Sequence, residues 1–333
     1  MKKTGLPFIS ICTPTFNRRP FIPHIIKCVN QQTYPKHKIE WIIIDDGTDK
    51  IEDLVINIPL VKYIKFSEKM TLGRKRNIAH SNCKGDIIIY MDDDDYYPPT
   101  RIMHAVKTLQ KNPSVLCAGC SELHIFFKHI NKMYQFGPYG PNHSTAATFA
   151  FKKQLLNITR YDDNSTFGEE QHFLKNYTIP FVQLDVLQTI LVFSHEHNTL
   201  DKKKLLDDSL MNPHVKLSTR TVDEFIKDPV LKKFYTEDID NLLIDYSPGK
   251  LENKPDVVKQ LEVFFVERDK LIEEQRNSQI MNTLINQNNY LEKVLNENKN
   301  LKEQVEYLEF KISTLIKERI AEKIALKKGA PEK

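Results

Sequence analysis

Four consecutive aspartates, Asp92-Asp93-Asp94-Asp95, directly follow the apolar run Ile87-Ile88-Ile89-Tyr90-Met91. Carboxylates crowded at the end of a buried segment repel one another and keep raised pKa values unless a cation sits among them. A hard divalent ion supplies that compensation. Oxygen-only ligands with open coordination positions suit Mg²⁺ or Mn²⁺ shared with substrate phosphates. The plain alternative is a solvated acidic turn, or acids favouring the start of a helix after Pro98-Pro99. The buried run ahead of the acids argues against it. Other residues with chemical potential are the pair Asp45-Asp46 after Ile42-Ile43-Ile44, the pair Glu169-Glu170 after Gly168, and His195 and His197 within Ser194-His195-Glu196-His197-Asn198.

The elements that must position these residues are legible up to about residue 200. Phe8 to Cys12, Ile39 to Ile44, Val61 to Phe66, Asp86 to Met91 and Val115 to Ala118 are predicted strands. Ile25 to Gln31, Leu72 to Ser81 and Arg101 to Gln110 carry helical periodicity between them. This alternation predicts an α/β fold with a mostly parallel sheet and crossover helices, whose ligands bind beyond the carboxyl ends of the strands. Residues 1–200 are therefore expected to form one α/β domain. A charged stretch opening with Asp201-Lys202-Lys203-Lys204 and broken by Pro213, Pro229, Pro248-Gly249 and Pro255 predicts a helical appendage over 201–255. Over 256–328 a heptad emerges, with Leu284, Leu291, Asn298, Val305 and Ile312 at a, and Ile280, Gln287, Val294, Leu301, Leu308 and Leu315 at d. Sustained a/d spacing predicts a parallel coiled-coil homodimer, with the amides of Asn298 and Gln287 fixing register.

Composition narrows the class. The 333 residues carry 48 Lys+Arg against 44 Asp+Glu, a net charge of only +4, so no global field selects nucleic acid or an anionic membrane as partner. Five cysteines, Cys12, Cys28, Cys83, Cys117 and Cys120, form no paired framework and suit a reducing compartment. Cys117-x-x-Cys120 has no second pair at zinc spacing, so buried thiols are expected. The basic start Met1-Lys2-Lys3 leads into no secretory signal pattern, and every apolar run is strand-sized, so a soluble, cytoplasmic protein is expected, in a host cytoplasm if the source is viral.

Taken in order, five features resemble the family 2 glycosyltransferases of the GT-A fold across roughly residues 7–200. They are Ile9-Ser10-Ile11-Cys12-Thr13-Pro14-Thr15-Phe16-Asn17-Arg18, Gln32-Thr33-Tyr34-Pro35, Ile42-Ile43-Ile44-Asp45-Asp46-Gly47-Thr48, Gly73-Arg74-Lys75-Arg76-Asn77 and Ile89-Tyr90-Met91-Asp92-Asp93-Asp94-Asp95. The resemblance implies an inverting, metal-dependent hexosyl- or N-acetylhexosaminyltransferase. Its donor would be a nucleotide-diphosphate sugar, with a UDP-sugar favoured, and its acceptor a hydroxyl of a glycan, protein or lipid.

The resemblance also implies roles. Pro14 and Phe16, beside Asn17, would flank the nucleobase, and Asp46 or Asp45 would accept from its ring N–H. Asp92 would face the ribose or sugar and Asp94 would ligate Mn²⁺ or Mg²⁺, with Asp93 or Asp95 sharing either role. Of Arg74, Lys75 and Arg76, Arg76 is favoured at the diphosphate and Lys75 can equally be a solvated base. Within Phe167-Gly168-Glu169-Glu170-Gln171-His172, Glu170 would be the general base and Glu169 the runner-up. A His three places before an Asn favours His195 over His197 as a further metal ligand. Two rival enzymes fit less well. A haloacid dehalogenase-type phosphatase would need a nucleophilic Asp where Ile44 stands, and a nucleotidylyltransferase needs a Gly-rich opening that the stretch between Leu6 and Ile44 lacks. An idle GT-A fold acting as a coiled-coil scaffold is the alternative outside enzymes, and retention of every acid argues against it.

Overall fold

The computed structural model describes residues 5–166, 168–199, 202–207 and 212–328. Phe167, Asp201 and the start Met1-Lys2-Lys3 lie outside them. Along the chain run β1 (Ile9–Thr15), α1 (Ile22–Asn30), β2 (Ile39–Asp45), α2 (Glu52–Val55), β3 (Val61–Lys65), α3 (Leu72–Asn82), β4 (Ile87–Tyr90), α4 (Arg101–Lys111) and β5 (Cys117–Gly119). There follow β6 (Leu123–Phe127), β7 (Lys132–Phe136), β8 (Ala150–Lys152), α5 (Glu170–Phe173), β9 (Phe181–Gln183), β10 (Val192–Ser194), α6 (Lys204–Asp207) and β11 (Val215–Leu217). Short helices α7 (Val222–Phe225), α8 (Pro229–Lys233) and α9 (Ile239–Ile244) lead to the long α10 (Pro255–Lys328).

The main sheet has the order β3-β2-β1-β4-β8-β5-β9. Its first four strands are parallel, and the order reverses between β1 and β4. Alternate residues feed two cores. Ile9, Ile11, Trp41, Ile43, Ile87 and Ile89 pack on one face, and Cys12, Ile42, Ile44, Ile88 and Tyr90 on the other. Burial on both faces explains why these strands read as unbroken apolar runs. Helices α1 and α4 cover the first face with Ile22, Ile25 and Val29, and with Ile102, Val106 and Leu109.

Three features add to the sequence expectations. β8 runs antiparallel to β4 and β5, so the sheet is mixed. A second sheet, β10-β6-β7-β11, is built from strands three to five residues long. The stretch read as an appendage over 201–255 packs, over its described residues, into the same compact unit as the rest of the chain to Glu262. β11 pairs with β7, and Phe225, Leu231, Phe234 and Tyr235 enter the main core. All five cysteines are free and buried.

The second unit, from Val263, is helical to Lys328. Along it the heptad residues Ile280, Leu284, Leu291, Leu301, Val305, Leu308, Ile312 and Leu315 are each more than half exposed within one chain.

Gly73, in the first turn of α3, sits against the loop that precedes α5. A Cβ there would stand 1.9 Å from the carbonyl oxygen of Asp162. Gly73→Ala is expected to destabilise the fold by about 1–3 kcal/mol through overpacking, measured as a lowered urea midpoint.

Candidate active site

The exits of β1 and β4 meet where the strand order reverses, the place at which open α/β sheets bind ligands. The acidic loop is pinned there from several sides. Thr13 Oγ1 donates to the Met91 carbonyl at 2.6 Å and accepts from Trp41 Nε1 at 2.8 Å. Asp92 N donates to the Tyr97 hydroxyl at 2.7 Å, and the Tyr235 hydroxyl donates to the Asp95 carbonyl at 2.9 Å.

One cavity opens above these exits, lined by Pro14, Phe16, Arg18, Arg76, Asp92, Asp93 and Asp94 together with Lys69, Lys75, Thr166, Lys254 and Asp256. Six of the residues singled out from sequence thus share one wall: Pro14, Phe16, Arg76, Asp92, Asp93 and Asp94. Asn17, Asp45 and Asp46 do not line it. Asn17, at φ +53°, accepts from Asp49 N at 2.9 Å and donates to the Pro248 carbonyl at 2.8 Å. Asp45 accepts from Gly47 N, Ile51 N and the Tyr63 hydroxyl. Asp46 accepts from Met70 N at 2.6 Å and pairs with Lys75 Nζ at 2.8 Å. Both oxygens of each aspartate accept a hydrogen bond within the protein. Lys75 is accordingly buried and paired rather than solvated.

Electrostatics at the acidic loop are unbalanced. Arg18 Nη2 lies 3.2 Å from Asp94 Oδ2 and its Nε 3.6 Å from Asp93 Oδ1. Burial works to raise Asp94, but Arg18 and His195 outweigh it and hold the carboxyl well below its usual range. Burial and the Asp94 charge push Asp93 up to about 7 despite Arg18, and Asp95 is raised well above the ordinary carboxylate range for the same two reasons. Asp92 Oδ1, Asp93 Oδ2 and Asp95 Oδ1 are buried without a hydrogen-bond partner.

His195 Nε2 stands 3.1 Å from Asp94 Oδ2 and 2.7 Å from Asn198 Nδ2. Burial lowers its pKa to about 3, so the ring is neutral. A neutral nitrogen facing a carboxylate at this range needs a proton or a cation between them. His197 lies instead beside Tyr246.

Among the described residues, no three His, Cys, Asp or Glu side chains converge as a metal cage. Orphaned carboxylate oxygens beside a neutral imidazole nevertheless fit a hard divalent ion held by few protein ligands and completed by substrate phosphates.

The glutamates occupy an adjoining position. Glu169, 4% exposed, accepts from Arg76 Nε at 2.6 Å, and Arg76 Nη1 is 3.5 Å from Asp92 Oδ1. Burial opposes the charge on Arg76, but Asp92 and Glu169 more than offset it and raise its pKa well above normal. Arg76 also stacks 4.3 Å over the Tyr90 ring. Glu170 begins α5 and is half-buried; burial and the charge of Glu169 push its carboxyl up to about 7.

Sequence reasoning gave no role to Arg18, Lys69 or Lys254. Arg18 was within reach, since it ends the first motif, whereas Lys254 lies far along the chain and carries no local signal.

A profile of glycosyl transferase family 2 matches residues 10–180, just over half of the chain. The chain belongs to this family. Among curated relatives, a glycosyltransferase of Haemophilus influenzae is 27% identical over 109 residues, covering 32% of this chain and 36% of that one. The poly(ribitol-phosphate) β-N-acetylglucosaminyltransferase TarS of Staphylococcus aureus is 26% identical over 110 residues, covering 32% and 19%. The chain thus spans well under half the length of these relatives. Among solved structures, TarS 1–349 is matched at 18% identity over 76% of this chain and 78% of that one, with a TM-score of 0.44. The mannosyltransferase PcManGT of Pyrobaculum calidifontis, in complex with GDP-Man and Mn²⁺, is matched at 16% over 78% and 75%, with a TM-score of 0.48.

Arg76 bridges the acidic loop and the glutamate pair while fully buried. Arg76→Met should strand Glu169 without a partner and cost about 3–5 kcal/mol in chemical denaturation. Arg76→Met combined with Glu169→Leu should recover part of that loss.

Proposed function

We propose that this family 2 chain transfers a hexosyl or N-acetylhexosaminyl group from a nucleotide-diphosphate sugar, a UDP-sugar foremost, to a hydroxyl of a carbohydrate or glycoconjugate. The observation that carries this is the pair of buried carboxylate oxygens without a hydrogen-bond partner on Asp92 and Asp93, which line one cavity with Pro14 and Phe16 at the point where the strand order reverses. The N-acetylglucosaminyl specificity in the name of the relative TarS supports the donor class.

In this proposal Pro14 and Phe16 pack the nucleobase. Asp94 holds Mn²⁺ or Mg²⁺, with Asp92 and His195 beside it, and the bound ion supplies Lewis-acid stabilisation of the charge on the departing nucleoside diphosphate. Asp46, with Asp45 as the alternative, accepts from the base's ring N–H while Asp46 also pairs with Lys75. Arg76 orients Glu169 through the 2.6 Å bond, leaving Glu170 as the carboxylate that takes the acceptor's proton. A single displacement with one base inverts the anomeric carbon.

A screen of UDP- and GDP-sugars with Mn²⁺, read by nucleotide release, tests the assignment. Metal-dependent release is expected with at least one donor, and its absence with all of them would overturn it. Glu170→Gln should lower kcat by about 10²–10⁴-fold with little change in donor KM. Because the base acts deprotonated, kcat/KM should fall about tenfold per pH unit below about 7 and level off above it, and Glu170→Gln should remove this limb.

The exposed heptad residues of the second unit support a parallel homodimer. Sedimentation should show a dimer in which Leu291→Glu with Leu308→Glu promotes dissociation; a concentration-independent monomer would contradict it.

A further inference from the structure

We infer that Lys254, immediately ahead of α10 and outside the family-matched segment, binds the diphosphate of the nucleotide donor. This inference rests on the reading of the cavity as a donor site. Three ammonium groups surround the Phe16 ring, with Lys69 Nζ 5.3 Å, Lys75 Nζ 5.7 Å and Lys254 Nζ 6.0 Å from its centroid. Two of them are neutralised within the protein: Lys69 contacts both oxygens of Asp256 at 2.6 Å, and Lys75 pairs with Asp46 at 2.8 Å.

Lys254 differs from both. It is 4% exposed and lines the cavity, yet among the described residues no carboxylate lies within ion-pairing distance, and its one bond is a long 3.5 Å donation to the His197 carbonyl. A buried cation without a counter-charge is costly unless something else supplies the charge. Arg18 presents a second free donor on the same cavity, since its Nη1 is buried without a partner while Nε and Nη2 face Asp93 and Asp94. The cavity therefore has cationic groups with unused donors beside carboxylates with unused acceptors. A diphosphate with its divalent ion satisfies both, the phosphate oxygens accepting from Lys254 and Arg18 and the ion engaging the acids.

Lys254 is also held in place. The Lys69–Asp256 pair fixes the first turn of α10. Gln260 accepts from Thr166 Oγ1 at 2.5 Å and donates to the Asn164 carbonyl at 2.9 Å, and Val257 and Leu261 are buried beneath. The start of the long helix is thus a wall of the donor cavity, tied to the loop that leads into Glu169.

The test is calorimetric titration of the full-length chain with UDP and with GDP, each with Mn²⁺, and with the matching nucleosides. Lys254→Met should weaken nucleoside diphosphate binding about tenfold or more and leave nucleoside binding unchanged. Its thermal midpoint should match or exceed that of the parent, because an unpaired buried charge has been removed. Lys254→Gln gives the same comparison if the methionine variant does not fold. Unchanged diphosphate affinity in a folded variant would overturn the role of Lys254 while leaving the donor site standing. A parent protein that binds neither nucleoside diphosphate would overturn the donor site itself, and this inference with it.

Discussion

Negative charge gathered at the end of β4 is the constraint around which the rest of the molecule is arranged. Two like charges 4 Å apart repel by about 4 kcal/mol at the effective dielectric of a protein surface, and four adjacent aspartates multiply such terms. The sheet makes this unavoidable, because Ile87–Tyr90 is buried on both faces and delivers the acids where the strand order reverses. Thr13, Tyr97 and Tyr235 hold the loop by its backbone and so leave the carboxylates for other partners.

Those partners come from distant parts of the chain. Arg18 follows β1, Arg76 lies in α3 and His195 follows β10. Each contact with the acids is partial: Arg18 reaches Asp93 and Asp94 with two of its three nitrogens, and His195 is neutral. With protein cations alone, burial and the Asp94 charge leave Asp93 and Asp95 with raised pKa values. Burying residues 212–262 against this region places Lys254 at the cavity and Tyr235 at the loop behind it.

Much of this was legible in the residues. The four parallel strands and their helices announced themselves because burial on two faces enforces apolar runs, and the acids stood where those runs stop. The preference for His195 over His197 came from the family resemblance, and in the structure Asn198 accepts from His195 N at 2.9 Å. Other features had no local signature. Asp45 and Asp46 look alike in sequence, yet Asp45 accepts from Ile51 N and Tyr63 and Asp46 from Met70 N and Lys75, partners fixed only by the fold. Lys254 acquires its position only because the start of α10 docks on a loop some ninety residues earlier.

Binding of Mn²⁺ followed by electron paramagnetic resonance, with and without UDP or GDP, tests the charge imbalance most directly. The expected result is weak retention of the ion by the protein alone and strong retention once a nucleoside diphosphate is present, with Asp94→Asn abolishing the gain. Mn²⁺ retention that is indifferent to both nucleotides, or unchanged by Asp94→Asn, would contradict a metal-holding role for the acidic loop.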